Sequence, residues 1–412
     1  MAGTKTLGTT TSAPIDPREA HPLVVAAEQL AAEVLAPRAE AVDQSALLPR
    51  SHLDALAAAG LMGLVGPLDA GGQAAPGPVA RRVQRVIAGA CGATFFTWVQ
   101  HHAPVRHLTT APDNVARRKW LAPLCSGDVR GGVAFAYLRR PGPPAVRAVG
   151  DRAGAWALEG TAPWVTGWGL VDVVLVVAAA ADGRKVLALV PTDDRRLVAE
   201  PLDLMVLGAT GTTRLSFDGV CVPSELVVDI WSAERWEAVD TLAAAQPVAA
   251  PFGIAQTCVD GLLRTDGPHG PAAIAAEALA DELARCTIAV EQLLSGSPSN
   301  TSARSKEDLV VWTGRLTAAR DWSIDLACRA SQAWIAAARG GSMSRAHPAQ
   351  RLAREAAFYL VQAQTAALRE TELTRLSRPA DQPRLAWDRA GGAPNGRPRE
   401  TPPRMPSGRA RE

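Results

Sequence analysis

The sequence predicts an α+β protein, mainly α, with an N-terminal helical domain, a middle antiparallel β-domain and a C-terminal four-helix bundle. Three observations predict it. Apolar residues recur at helical spacing up to about residue 110, short runs rich in Val, Leu and Trp alternate with turn residues from Gly131 to Pro223, and long alanine-rich stretches follow.

Residues 1–20 are polar and are expected to be disordered. In the helical domain, 21–130, Val25, Leu30, Val34 and Leu35 fall near helical spacing after Pro22, which suits a first helical turn. A second helix, Ser51 to Ala59, places Leu53, Leu56 and Ala57 on one side and ends at Gly60, a plausible cap. Arg81 to Ala90 and Ala93 to Leu108 read as two more helices. The β-domain, 131–228, is punctuated by Pro141-Gly142, Gly150-Asp151 and Asp182-Gly183. The bundle, 229–377, is expected to hold four helices, over Thr241–Leu263, Ala272–Leu294, Lys306–Arg339 and Pro348–Leu376. The tail, 378–412, is dense in Pro, Gly and Arg with few large apolar residues, so it is expected to be disordered.

Bulk properties exclude several classes. A net charge of +2 over 412 residues gives no reason to expect nucleic acid or an anionic membrane as a partner. The six cysteines are far apart with no C-x-x-C pair, which suggests neither a zinc site nor a disulfide framework and fits a reduced, cytoplasmic compartment. No apolar run is long enough to span a bilayer. There is no G-x-S-x-G, no G-x-x-x-x-G-K-[ST], no H-E-x-x-H and no G-x-G-x-x-G after a strand, which argues against a serine hydrolase, a nucleotide hydrolase or a zinc enzyme.

The informative stretch is Trp156-Ala-Leu-Glu-Gly-Thr-Ala-Pro-Trp164-Val-Thr166-Gly167, followed by Val173-Val-Leu-Val-Val177. Further on comes Leu204-Met-Val-Leu-Gly208-Ala-Thr-Gly-Thr-Thr213-Arg-Leu-Ser-Phe217-Asp-Gly-Val220-Cys-Val-Pro223. In this order and at this separation the two segments resemble the middle-domain motifs of the acyl-CoA dehydrogenase family. The opening helices around Pro37–Asp43 and Leu56–Leu61, and Gly340-Gly341 with Arg351–Ala357 near the end, resemble that family too, so the similarity spans roughly 20–376. It implies the acyl-CoA dehydrogenase-like fold, FAD as cofactor ahead of FMN, and assembly as a homodimer or homotetramer through the bundle.

An isoalloxazine ring needs a flat apolar wall and hydrogen-bond donors along its N5/O4 edge, where reduction builds negative charge. The resemblance gives the wall to Trp164 and the donor to Thr166, two residues apart and so expected on one strand face, with Gly167 at the turn and Tyr137 facing the ring. It gives the adenine half to Gly340, Gly341 and Thr365. The chain departs from the family elsewhere. The strand before carries Arg139 where the family has threonine and Ala145 where it has serine, and Arg139 or Arg140 is a candidate phosphate ligand. Ala337 replaces a glutamine, and no Arg-x-x-Phe-Gly segment surrounds Arg264.

Dehydrogenation needs a carboxylate to remove the α-proton of a thioester. The family's last-helix pattern puts that base at Ala363, and the alternative glutamate position and its neighbouring arginine fall near Ala243 and Ala244. No catalytic residue is therefore assigned. Three readings follow. Another group serves, the candidates being Glu355, Glu370 and Glu372 on the last helix and His101 and His102 on the helix that borders the family's acyl pocket. Alternatively, the protein is a flavin monooxygenase of the same fold, with Gln100, His101 and His102 near the reacting oxygen. Or it is a non-catalytic flavin-binding or partner subunit. The expected function is a flavin-dependent oxidoreductase acting on the CH–CH group of an acyl thioester, with an electron-transfer or flavin-reductase partner. No metal is expected.

Overall fold

The computed structural model describes residues 21–150, 155–295 and 306–377. The segments expected to be disordered, 1–20 and 378–412, lie outside the described residues. The described residues up to Glu372 form one compact unit, and the packing below is that of this unit.

The first helix, α1 (Pro22–Leu30), starts on Pro22, with His21 Nδ1 accepting the Leu23 N–H at 3.3 Å. It runs on through a π-turn at 31–35 and a 3₁₀ turn at 36–38 into α2 (Ala39–Asp43). Next come α3 (Arg50–Ala58), α4 (Gly77–Ala90), α5 (Gly92–Thr110) and α6 (Val115–Ser126). Gly60, at φ 70°, turns the chain out of α3, as its capping role requires. Helix α6 was not foreseen. Its start is nevertheless capped in a way the sequence encodes, because Asn114 Oδ1 accepts the Arg117 N–H at 2.9 Å.

Eight strands follow: β1 (Gly131–Ala134), β2 (Val146–Gly150), β3 (Trp156–Val165), β4 (Val173–Ala180), β5 (Lys185–Pro191), β6 (Leu197–Pro201), β7 (Thr213–Val222) and β8 (Val227–Trp231). Their order is β6-β7-β3-β2-β4-β5-β8, with β1 also on β4. The sheet is mainly antiparallel, as expected, with β1 and β2 both pairing with β4 in parallel. Alternate residues of β4 enter different cores. Val174, Val176 and Ala178 pack with β3 and β7, whereas Val173, Leu175 and Val177 pack against α5 and α6 through Val105, Leu108, Leu121 and Leu124. A strand buried on both faces reads as an unbroken apolar run.

The C-terminal region holds α7 (Ala233–Ala245), α8 (Ala249–Leu263), α9 (Pro271–Ser295), α10 (Lys306–Ala338), α11 (Pro348–Phe358) and α12 (Ala366–Leu376). Two of the four expected helices are each split in two. Gln246, extended at φ −64°, ψ 138° ahead of Pro247, separates α7 from α8, because a residue before proline is driven out of the helical region. The second break, 359–365, contains Ala363 in the left-handed region at φ 52° and no glycine or proline. One hydrophobic core joins α1, α4 and α5 to α8, α9, α10 and α11, so the N-terminal helices are seated on the bundle by burial of apolar surface.

Candidate flavin site

The site is built on the end of β3. Pro163 cannot donate to the ladder, and the β3–β7 register shifts between Ala162 and Val165. Trp164, in this bulge, has φ 64° and is 49% exposed, while Thr166 is buried. The two side chains therefore do not share a strand face, as their spacing had suggested. The bulge leaves the indole exposed and the threonine buried.

The turn that follows is laced to the loop before β7. Gly167 N donates to Thr210 O at 2.9 Å and Trp168 N to Gly211 O at 3.1 Å. Gly167, at φ 94°, supplies a conformation that a side chain would strain. Three buried hydroxyls line up here: Thr166 Oγ1 lies 3.0 Å from Thr212 Oγ1, which lies 2.8 Å from Thr210 Oγ1, and Thr210 donates to Leu207 O at 2.7 Å. From α5, the methyl of Thr97 borders Gly167, and its buried hydroxyl has no hydrogen-bond partner among the described residues. An exposed flat indole, a fixed hydroxyl line and an unsatisfied buried hydroxyl fit a planar heteroaromatic group with polar edges. Thr97, Thr210 and Thr212 were not singled out as site residues. The run Thr210-Gly-Thr-Thr213 in an otherwise apolar segment was the available signal.

The other expected cofactor residues are dispersed. Tyr137 is buried in the sheet core and its hydroxyl donates to Val177 O at 2.7 Å, so it turns inward rather than toward a ring. Burial alone pushes its phenol well above the usual range. Gly340 and Gly341 lie exposed in a 3₁₀ turn at 339–343, where Arg339, at φ 56°, takes the left-handed conformation instead of either glycine. Thr365 precedes α12 and accepts the Leu368 N–H at 3.3 Å, a helix-starting role. Arg139 makes a bidentate pair with Asp240 on α7, at 2.9 and 2.7 Å, which commits it within the chain; Arg140 is exposed.

The candidate acids and bases are mostly engaged as well. His101 Nδ1 accepts the Gly131 N–H at 2.9 Å and Nε2–H donates to Leu124 O at 2.9 Å, so it joins α5 to β1 and α6. Burial drives its pKa down to about 4, against a smaller upward pull from the Leu124 carbonyl. His102 is buried, also held neutral by burial, and Nε2 reaches Leu61 O at 3.3 Å. Glu355 is buried on α11 against Arg351 at 2.9 Å, with burial raising its pKa and Arg351 pulling it back. Glu370 is exposed on α12, and Glu372 accepts from Gln364 Nε2 at 2.9 Å. Ala363 sits in the break after α11, where Arg320 grips the Gln362 carbonyl at 2.6 Å. Among the described residues, no cluster of three His, Cys, Asp or Glu side chains is placed to hold a metal, and no helix is long and apolar enough to cross a membrane.

Comparison with known proteins agrees with this architecture. Residues 17–128 match the family model described as acyl-CoA dehydrogenase, N-terminal domain. No curated protein matches the chain. Among solved structures, butyryl-CoA dehydrogenase from Megasphaera elsdenii superposes with a TM-score of 0.70 at 17% identity, covering 89% of this chain and 100% of that one. Dibenzothiophene monooxygenase from Paenibacillus sp. A11-2, also known bound to FMN, gives a TM-score of 0.72 at 16% identity, covering 87% and 97%. Glutaryl-coenzyme A dehydrogenase gives 0.67 at 17% identity, covering 86% and 94%. At such identities the likeness shows the fold, which both dehydrogenases and a monooxygenase share.

Proposed function

We propose that this chain, whose residues 17–128 match the N-terminal-domain model of the acyl-CoA dehydrogenase family and whose fold is shared by the compared dehydrogenases and monooxygenase, is a flavin-dependent oxidoreductase that seats its flavin on the Trp164–Gly167 turn. The carrying observation is the exposed indole of Trp164 together with the buried hydroxyl line that begins at Thr166. Trp164 would cover one face of the isoalloxazine and Thr166 would meet its N5 edge, with Gly340, Gly341 and Thr365 taking the adenine half of FAD. A bound flavin would supply the two-electron acceptor or the oxygen-activating centre. The proposed substrate is an acyl thioester, the proposed partner an electron-transfer protein or flavin reductase. Exposed Ile274 and Ile288 on α9 and Val310 and Val311 on α10 support a homo-oligomer through the bundle.

A second reading, a monooxygenase-type reaction, is favoured by the engagement in ion pairs of acids nearby in sequence and in the bundle. Ala363 cannot accept a proton, Glu355 is tied to Arg351, and Asp240 is tied to Arg139. An oxygen-dependent reaction of reduced flavin needs no α-proton base. The deciding experiment is the visible spectrum after incubation with FAD and desalting, then anaerobic addition of mixed acyl-CoAs. Retained flavin that bleaches supports the dehydrogenase. Retained flavin that stays oxidised, but consumes oxygen with a substrate once reduced externally, supports the second reading. A colourless protein refutes the flavin site.

A further inference from the structure

We infer that Thr210 and Thr212 act as positioning residues that turn the Thr166 hydroxyl into a hydrogen-bond acceptor toward the flavin, so that the site favours the reduced cofactor; this rests on the flavin reading above. Each hydroxyl has one hydrogen to place. Leu207 O can only accept, and Thr210 Oγ1 lies 2.7 Å from it, so the Thr210 hydrogen goes there. Thr210 Oγ1 is then the acceptor for Thr212 at 2.8 Å, and Thr212 Oγ1 the acceptor for Thr166 at 3.0 Å. The line runs inward and leaves Thr166 presenting a lone pair at its outer end.

That end discriminates between redox states. N5 of an oxidised flavin accepts, whereas N5–H of a reduced flavin donates. With reduced flavin the line keeps all three internal hydrogen bonds and gains a fourth from N5–H. With oxidised flavin Thr166 can donate outward only at the cost of one internal bond: it turns away from Thr212, or the line reverses and Thr210 releases Leu207 O. The backbone N–H of Thr210, at 3.1 Å, still satisfies that carbonyl, so the difference is one hydrogen bond rather than an orphaned group. A net hydrogen bond of about 1 kcal/mol corresponds to about a fivefold preference for the reduced form. The turn cannot relax to escape this choice, because the backbone bonds from Gly167 and Trp168 hold it to residues 210 and 211.

Cutting the line at either inner member removes the bias. In Thr212→Val, Thr166 rotates freely and makes one bond to either redox state. In Thr210→Val, Thr212 and Thr166 turn together, and each state again has the same number of bonds. The test measures dissociation constants for oxidised FAD and for dithionite-reduced FAD under anaerobic conditions, on full-length wild type, T212V, T210V and T212S. Both valine variants should lose about fivefold in the reduced-to-oxidised affinity ratio, a potential about 20 mV lower for a two-electron couple, while T212S keeps the wild-type ratio. Equal weakening of both redox forms would mean a merely structural role and overturn the inference. If T212V does not fold, T210V carries the same reading. A wild type that binds neither form would refute the flavin site and the inference together, an outcome distinct from an unchanged ratio.

Discussion

Replacing Arg351 by methionine should cost the fold about 3–5 kcal/mol at pH 8, the usual loss when one partner of a buried pair is removed. Arg351 and Glu355 are 4% and 3% exposed, 2.9 Å apart, one turn apart on α11. Arg351 also reaches Glu40 on α2 at 3.2 Å, and Glu355 Oε2 has no hydrogen-bond partner among the described residues. Without Arg351 the carboxylate is left charged in an apolar wall. The pH dependence has a definite sign. Burial raises the folded pKa of Glu355 above its unfolded value, with Arg351 the main opposing pull. Its folded-state penalty is therefore absent below the unfolded pKa of about 4.3 and grows by about 1.36 kcal/mol per pH unit until the folded pKa is passed. Removing Arg351 moves that folded pKa higher, so the gap between variant and wild type should be wider at pH 8 than at pH 5. Urea unfolding of both proteins at the two pH values, at one ionic strength, measures it. A gap that is equal at both pH values, or below about 1 kcal/mol throughout, would refute the reasoning.

Three further outcomes are expected. Gly92→Ala would drive a methyl into the Glu355 carboxyl group and should cost about 1–3 kcal/mol, most of which should be absent when the change is made in an E355A background; the same cost in both backgrounds in a melting series would contradict the contact. His101→Leu strands the Gly131 N–H and the Leu124 carbonyl, at about 1–3 kcal/mol each. Since burial holds the His101 pKa near 4, below its unfolded value of about 6.5, wild type should hold its advantage above pH 6.5 and lose part of it as pH falls toward 4; a constant gap in acid unfolding would count against this. Trp164→Ala should weaken flavin binding about tenfold, roughly 1.4 kcal/mol of lost ring contact, and leave the melting midpoint nearly unchanged because the indole is half exposed; an unaltered flavin titration would move the ring elsewhere.

The helices that seat the site were legible where periodicity spoke plainly. α3, α4 and α5 lie close to their expected spans, and Gly60 stops α3. What escaped were features decided by tertiary context. The parallel pairing of β4 could have been read from its unbroken run, Val173 to Val177, which a strand with one wet face would not carry. The break between α11 and α12 has no glycine or proline to announce it, only the Arg320 grip on Gln362 from a helix some forty residues earlier. At the candidate site, residue types singled out the Trp164–Gly167 turn on which the proposed flavin seat rests, and Pro163 inside a strand was a usable hint of a bulge. The left-handed backbone of Trp164 and the alignment of Thr166 with Thr210 and Thr212 depend on two segments meeting, which no local pattern states.

The break at Ala363 bears on any attempt to convert this protein. Placing a glutamate there would aim a long side chain from a left-handed turn residue rather than from a helix face; the strain of that conformation, roughly 1–2 kcal/mol for any residue with a Cβ, is already borne by Ala363. The neighbouring carbonyl is clamped by Arg320, so the backbone has little freedom to rewind. If Ala363 is taken as the position of the family's base, as proposed from the resemblance, supplying that base to this chain involves a segment rather than a single residue. A mutational library confined to residue 363 would search the wrong dimension, and one that varies 359–365 together with Arg320 would search the right one.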